Sequence, residues 1–182
     1  MPSNPVPVPT KWRRALPQAH FALLFALCFI LGIGLVLLPP GQKIDQDFSR
    51  LLVRISRTVI GIWGGAAAVE GAILRAPGGF AVEMRDGCNG INVMVLLWAA
   101  ILAFPASWKL KAYGLAAGTL AIQLLNVARF ISLFYIGQYS AAWFEFAHGY
   151  LWETLLILDT MVIFWLWVGR VSRSGALRHA GN

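Results

Sequence analysis

Apolar positions fall into four long runs along the chain, and the polar breaks between them differ in kind. The first run, "FALLFALCFILGIGLVLL" at about residues 20–38, is uncharged and long enough to cross a hydrocarbon core about 30 Å thick. Pro39, Pro40 and Gly41 stop it. The second run, about residues 89–104, ends at Pro105; the third spans about residues 113–136 and the fourth about 149–168. Each reads as a spanning helix. The first follows a basic start and so resembles a signal peptide. Its length and the absence of a small-x-small cleavage site mark it as a retained helix.

The connection between the first two runs has a different pattern. In "DFSRLLVRISRTVIGIW" apolar residues alternate with Arg50, Arg54 and Arg57, which share one face at helical spacing. That pattern predicts an amphipathic helix lying in the interface. A rival reading makes residues 58–74 a short spanning helix, against which stand Gly61, Gly64, Gly65, Glu70 and Gly71. Further on, Pro77-Gly78-Gly79 is a turn between two short β-like runs, which predicts a hairpin. Residues 137–146 read as a short polar-aromatic loop. The expected fold class is an all-α membrane protein with about four transmembrane helices, an external amphipathic helix and a short β-hairpin.

Composition agrees. Of 182 residues, 58% are hydrophobic and 13% charged, more apolar surface than a soluble domain of this size can hide. A net charge of +7 would suit nucleic acid in a soluble chain. Here the basic residues flank apolar runs, which points to membrane topology and lipid headgroups, with no nucleic-acid partner. The expected organisation is a tail at 1–18, one membrane domain at 19–170 and a second tail at 171–182. The N-terminal segment, the 106–112 turn and the C-terminal tail hold eight Lys/Arg and no acid. With four spans these share one side, and the density of charge in short loops places both termini in the cytoplasm.

Candidate chemistry gathers at the opposite side. Two cysteines make no disulfide framework, and Cys28 lies mid-run while Cys88 lies at a run's polar end. Histidines are scattered, and no CxxC or HExxH motif appears, so neither a metal site nor a cofactor is expected. Cys88, at the start of the second helix, would meet its positive dipole end, where backbone N–H groups stabilise a thiolate. Gly87 and Gly90 leave room for another backbone to approach. In "LLNVARFISLFY" Arg129 is a charge inside an apolar run, with Asn126 one turn earlier. Counting along the third helix places Arg129 about 25 Å up from the cytoplasmic turn. His148 stands at the start of the fourth helix, followed by Glu153 and the deeper Asp159. Singly, each has a plain structural reading: an interfacial cysteine, a snorkelling arginine, a histidine in an aromatic belt. Together a nucleophile, a cation and an acid–base group at one depth are the parts of an acyl-transfer site. Glu153 could orient its helix or meet Arg129, and Asp159 could pair with Asn126.

The ordered set resembles the exosortase/archaeosortase membrane transpeptidases. The resemblance rests on C-x-G at Cys88-Asn89-Gly90, N-x-x-R from Asn126 to Arg129, and the downstream His148. It covers residues 45–168 and is nearest the compact exosortase H group. It implies catalytic Cys88, Arg129 and His148, supported by Asn126, Asn89, Gly90 and Glu153. It further implies a multi-pass bacterial inner-membrane enzyme whose site faces the periplasm. The implied substrates are exported proteins bearing a C-terminal sorting signal, made of a short motif, a membrane helix and a basic tail. The acyl group would pass to an unidentified acceptor. Two other classes compete. A non-enzymatic membrane assembly subunit would be indifferent to Cys88, and a small-solute transporter would need polar residues along a continuous path. A rhomboid-like serine protease lacks a serine in a comparable setting.

Overall fold

A computed structural model describes residues 10–180 apart from Asp86, with side-chain surroundings for residues 18–174 apart from Asp86. Much of the expected N-terminal tail, residues 1–9, and residues 181–182 lie outside the described residues. The apolar first run forms α1 (Thr10–Leu37), which therefore begins inside the segment expected to be a polar tail. Phe21, Phe25 and Phe29 stack along it at four-residue spacing. Leu23, Leu27, Ile30, Leu31 and Leu35 point outward and exposed, as a lipid-facing surface must be.

The chain breaks at Leu38, which is extended, and Pro39 then opens α2 (Pro39–Ile62). The Pro-Pro pair thus starts a helix as well as ending one, since a first-turn position requires no N–H. α2 is the expected amphipathic helix. Asp45, Ser49, Leu52, Val53, Ser56 and Ile60 are buried along one face, while Arg50, Arg54 and Arg57 are exposed. The hydroxyls of Ser49 and Ser56 donate to the carbonyls of Asp45 and Leu52 four residues back, so neither is buried unsatisfied. No single helix runs through residues 58–74: α2 ends at Ile62 and a strand starts at Ala68, which disposes of the rival spanning helix.

The expected hairpin is a three-stranded antiparallel meander, β1 (Ala68–Glu70), β2 (Ile73–Arg75) and β3 (Ala81–Glu83). Glu70 pairs with Ile73, and Leu74 lies opposite Val69 on one side and Val82 on the other. Leu74 and Val82 point inward against Leu52, Val53, Ile60, Phe130 and Phe134. The sheet is therefore a lid whose underside shares a core with the helices.

The second apolar run gives α3 (Ile91–Ala103), only 13 residues and about 20 Å long. Among the described residues, three helical segments have the length and hydropathy to cross a membrane: Gln18–Leu37, Trp108–Tyr139 and Ala141–Ser174. α3, expected as a fourth, falls short. It packs against α1, α4 and α6, and Met94, Val95, Leu97, Ala99, Ile101 and Ala103 are buried. The chain at its start is buried at Asn89 and Gly90, whereas the 104–107 link at its other end is partly exposed. α4 (Trp108–Tyr139) follows, then a break at Ser140 and α5 (Ala141–Phe146). A π-helical turn (Ala147–Leu151) leads directly into α6 (Trp152–Ala180). The loop expected at 137–146 is therefore almost wholly helical, and His148 lies within the π turn where a helix start was expected.

The two ends of the bundle are chemically distinct. At one, Phe21 of α1 and Trp167 of α6 both pack edge-on against Phe104, which follows α3. There Lys111 Nζ caps the end of α3 by donating to the Leu102 carbonyl at 2.6 Å. Trp167 Nε1 donates to the Leu110 carbonyl at 2.9 Å, and Arg170 donates to the Tyr113 hydroxyl. The start of α1's span, the 104–107 link and the end of α6 thus share this end. The sheet, the Cys88 turn and α5 occupy the other. Labelling of cysteines introduced at Gly78 and Ser140 should therefore come from one side of the membrane, and labelling at Ser107 from the other. Labelling of all three from one side would contradict this arrangement.

Candidate functional site

Residues 87–90 form the turn that joins the sheet to α3. The Cys88 N–H donates to the Arg85 carbonyl at 2.9 Å, closing the turn. Gly87 and Gly90 take positive φ angles of 83° and 81°. Gly90 is the residue before the first turn of α3, and a β-carbon there would lie 3.2 Å from Gln123 Nε2 and 3.5 Å from Asn126 Nδ2. Its missing side chain lets the turn press against α4. Cys88 is therefore not the first residue of the helix, as the sequence suggested. It stands three residues before Ile91, half-buried against the apolar core under the sheet.

Asn89 holds this turn in place. It is fully buried, and its Nδ2 donates to Asp45 Oδ1 at 2.7 Å, Ser49 Oγ at 2.9 Å and the Asp45 carbonyl at 3.2 Å. Its Oδ1 accepts the Ile91 N–H at 3.0 Å. A backbone N–H can only donate, so this last bond fixes which way the carboxamide faces. Asn89 thus ties the turn to α2. Neither Asp45 nor Ser49 stood out in the sequence. The one available signal was their position on the inward face of an amphipathic helix, where polar residues need partners.

A cavity of about 440 Å³ opens beside the turn, walled by β3, α4 and α5. Cys88, Asn126, Arg129 and His148 all line it, together with Glu83, Arg85, Phe144 and Glu145. Arg129 is 7% exposed, and none of the ion pairs among the described residues involves it. Its guanidinium is thus a buried cation without a carboxylate partner, which favours an anion or a developing negative charge in the cavity. Asn126 is fully buried, and neither its Nδ2 nor its Oδ1 has a hydrogen-bond partner.

His148 reaches the cavity through packing. Its ring stacks on Phe144 at 5.7 Å with 7° between the planes. Phe144 in turn meets Phe80 edge-on at 5.8 Å. Phe80, from the β2–β3 loop, lies where a β-carbon on Gly137 would stand, so only glycine fits there. A chain of three rings therefore runs from the sheet to the imidazole. Phe80 and Phe144 went unnoticed in the sequence because they sat among many interfacial aromatics. Charged groups near the imidazole are Arg129, Glu153, Glu145 and Arg85.

The remaining candidates fall elsewhere. Glu153 is exposed one turn beyond His148, does not line the cavity, and forms no ion pair with Arg129. Asp159 is half-buried on α6 and does not bond to Asn126, whose carboxamide is unpartnered. Cys28 lies half-buried in α1, away from this cavity. Among the described residues, no cluster of His, Cys, Asp or Glu could hold a metal ion.

The family model for transmembrane exosortases matches residues 15–168, from α1 to α6, including all residues that line the cavity. No curated protein and no solved structure matches the chain. A match over most of the length, on a helical membrane protein with these motifs in this order, places the chain in the transmembrane exosortase family.

Proposed function

We propose that the protein is a membrane cysteine transpeptidase that cleaves C-terminal sorting signals of exported proteins and transfers them to an acceptor. The observation that carries this reading is that Cys88, Arg129 and His148, from three separate elements, line one cavity. A non-enzymatic subunit gives no reason for a nucleophile, a partnerless cation and an imidazole to share a cavity.

In this reading the Cys88 thiolate attacks the scissile carbonyl carbon, and the tetrahedral oxyanion forms beside the Arg129 guanidinium. That cation is already in place and desolvated, so it stabilises the developing charge without reorganising. The intermediate collapses by breaking the C–N bond. His148 passes to the leaving amine the proton it took from the Cys88 thiol, and a thioester remains on Cys88. The acceptor nucleophile then loses its proton to His148, attacks the thioester and frees the thiol. The same imidazole therefore acts first as acid and then as base. A substrate anchored by its own membrane helix arrives with its scissile bond at a set depth. This makes the attack nearly intramolecular. The site would face the periplasm of a bacterial inner membrane, with the Phe21–Phe104–Trp167 end toward the cytoplasm.

The test is processing of a co-expressed tagged substrate, with each variant's abundance in the membrane measured alongside. Cys88→Ser should fall below about one per cent of wild-type processing, because serine lacks thiolate character. Cys28→Ser should process within about twofold of wild type. Full processing by Cys88→Ser at normal abundance would overturn the reading.

Arg129→Lys should lose about a hundredfold or more, although the charge is kept. A compact ammonium cannot present the planar fork that spans an oxyanion and a thiolate. Near-normal processing by Arg129→Lys would reduce Arg129 to a diffuse source of charge.

His148→Ala should slow turnover by about a hundredfold or more. If leaving-group protonation still occurs through water, a thioester should accumulate on Cys88 and be visible by intact-mass measurement. Unchanged turnover would remove His148 from the mechanism.

A further inference from the structure

β3 is an edge strand. The sheet order is β1-β2-β3, and among the described residues no strand pairs with β3 on its far side. Hydrogen-bond register shows which groups face that open edge. The Met84 N–H donates to the Ala72 carbonyl at 2.9 Å and the Ala76 N–H to the Phe80 carbonyl at 2.8 Å. Bonding alternates along an antiparallel pair, so Phe80, Val82 and Met84 turn their main-chain groups toward β2. Ala81 and Glu83 turn theirs away. Both residues line the cavity that holds Cys88, and no side chain among the described residues bonds to their main chains. An open edge inside a protein is normally covered, because unpaired N–H and C=O groups recruit a further strand. Here the strand ends five residues before Cys88.

The cavity carries a second, independent signal. Asn126 is fully buried and lines the same space with both its donor and its acceptor unpartnered. Leaving them so is unfavourable in the folded protein. A carboxamide can both donate and accept, as pairing with a peptide group requires.

We infer that the substrate binds as an extended strand added to β3, its backbone pairing with Ala81 and Glu83 and one peptide group meeting Asn126 beside Cys88. The ligand is thus an unstructured segment of polypeptide read largely through its main chain. This rests on the peptide-cleaving reading of the cavity and specifies how the peptide is held. It gives the open edge of the sheet a role of its own. It also implies that the residues around the scissile bond must be free of helix when they enter.

The test uses the full-length Cys28→Ser protein in lipid nanodiscs. The probe is a short alanine–valine peptide whose single cysteine is activated as a mixed disulfide with 2-nitro-5-thiobenzoate. The Cys88 thiolate attacks the peptide sulfur, a Cys88–peptide disulfide forms, and the thiobenzoate leaves as a measurable chromophore. Amide hydrogen exchange is then compared before and after trapping. The N–H groups of Ala81 and Glu83 should exchange at least about tenfold more slowly in the trapped state. Ala81→Pro removes an outward N–H without breaking the β2–β3 ladder and should slow trapping by about tenfold. Val69→Pro removes the matching outward N–H on the opposite edge and should change trapping by less than about twofold. Asn126→Leu should slow trapping while raising thermal stability, since it removes an unpartnered polar group. A purely structural Asn126 would instead lose stability.

Failure of the peptide to trap, or trapping without protection at Ala81 and Glu83, would overturn strand addition. Equal trapping by Ala81→Pro and Val69→Pro would do the same. Trapping needs only a reachable thiolate. Protection at β3 together with no processing of sorting signals would therefore uphold strand addition and refute the transpeptidase reading.

Discussion

The side chain of Asn89 donates to Asp45 and Ser49 on α2 and accepts from the first N–H of α3, and those bonds decide where Cys88 can be. α2 and α3 are separated in the chain by the whole sheet, and α3 is too short to span on its own. Fixing the start of α3 to α2 sets the depth of the turn between them. Once that depth is set, Gly90 can press on α4, and the cavity opens between the turn and the face bearing Asn126 and Arg129. The network is buried and polar, so it must be satisfied throughout, and a partial version would be worse than none. That demand gives it directional control that apolar packing lacks.

Two further devices assemble the rest of the site around this anchor. Phe80 fits against Gly137 and reaches Phe144, which stacks on His148. The imidazole is therefore positioned by the same sheet that borders the cavity on its other side. The π turn places His148 between two regular helices, a local widening of the kind that recurs at functional positions. Arg129 needs no comparable support, because α4 runs unbroken from Trp108 to Tyr139 and carries it rigidly. Three reactive groups are thus delivered by a turn, a helix and a π turn, each locked by a different kind of contact.

Legibility in the sequence followed the range of the interactions involved. Helix α2 was plain because Arg50, Arg54 and Arg57 recur on one face over several turns. The shared depth of Cys88, Arg129 and His148 could be reached by counting at 1.5 Å per residue from the basic turn. The extent of α3 could not, because its start is set by Asn89 bonding to Asp45, 44 residues away. Strand β1 escaped notice because the turn after it, at Gly71-Ala72, lacks a signal like that of Pro77-Gly78-Gly79 between β2 and β3. The π turn has no sequence period of its own, and the run before it read as a loop because Gly137 and Ser140 are loop-like residues. Phe80 gained meaning only when Gly137 proved to be its seat. The expected contact between Asp159 and Asn126 does not form, since both polar atoms of the Asn126 carboxamide are unpartnered.

The central claim is that Arg129 acts on Cys88 within one cavity, and differential alkylation tests it without any substrate. In the Cys28→Ser protein, rates of Cys88 modification by iodoacetate and iodoacetamide are compared with and without Arg129→Gln. The two reagents are similar in size, but only iodoacetate carries a charge. The account predicts a preference for iodoacetate that falls about fivefold or more when the guanidinium is removed. An unchanged ratio of the two rates would show that Arg129 does not bear on Cys88, and would contradict the account.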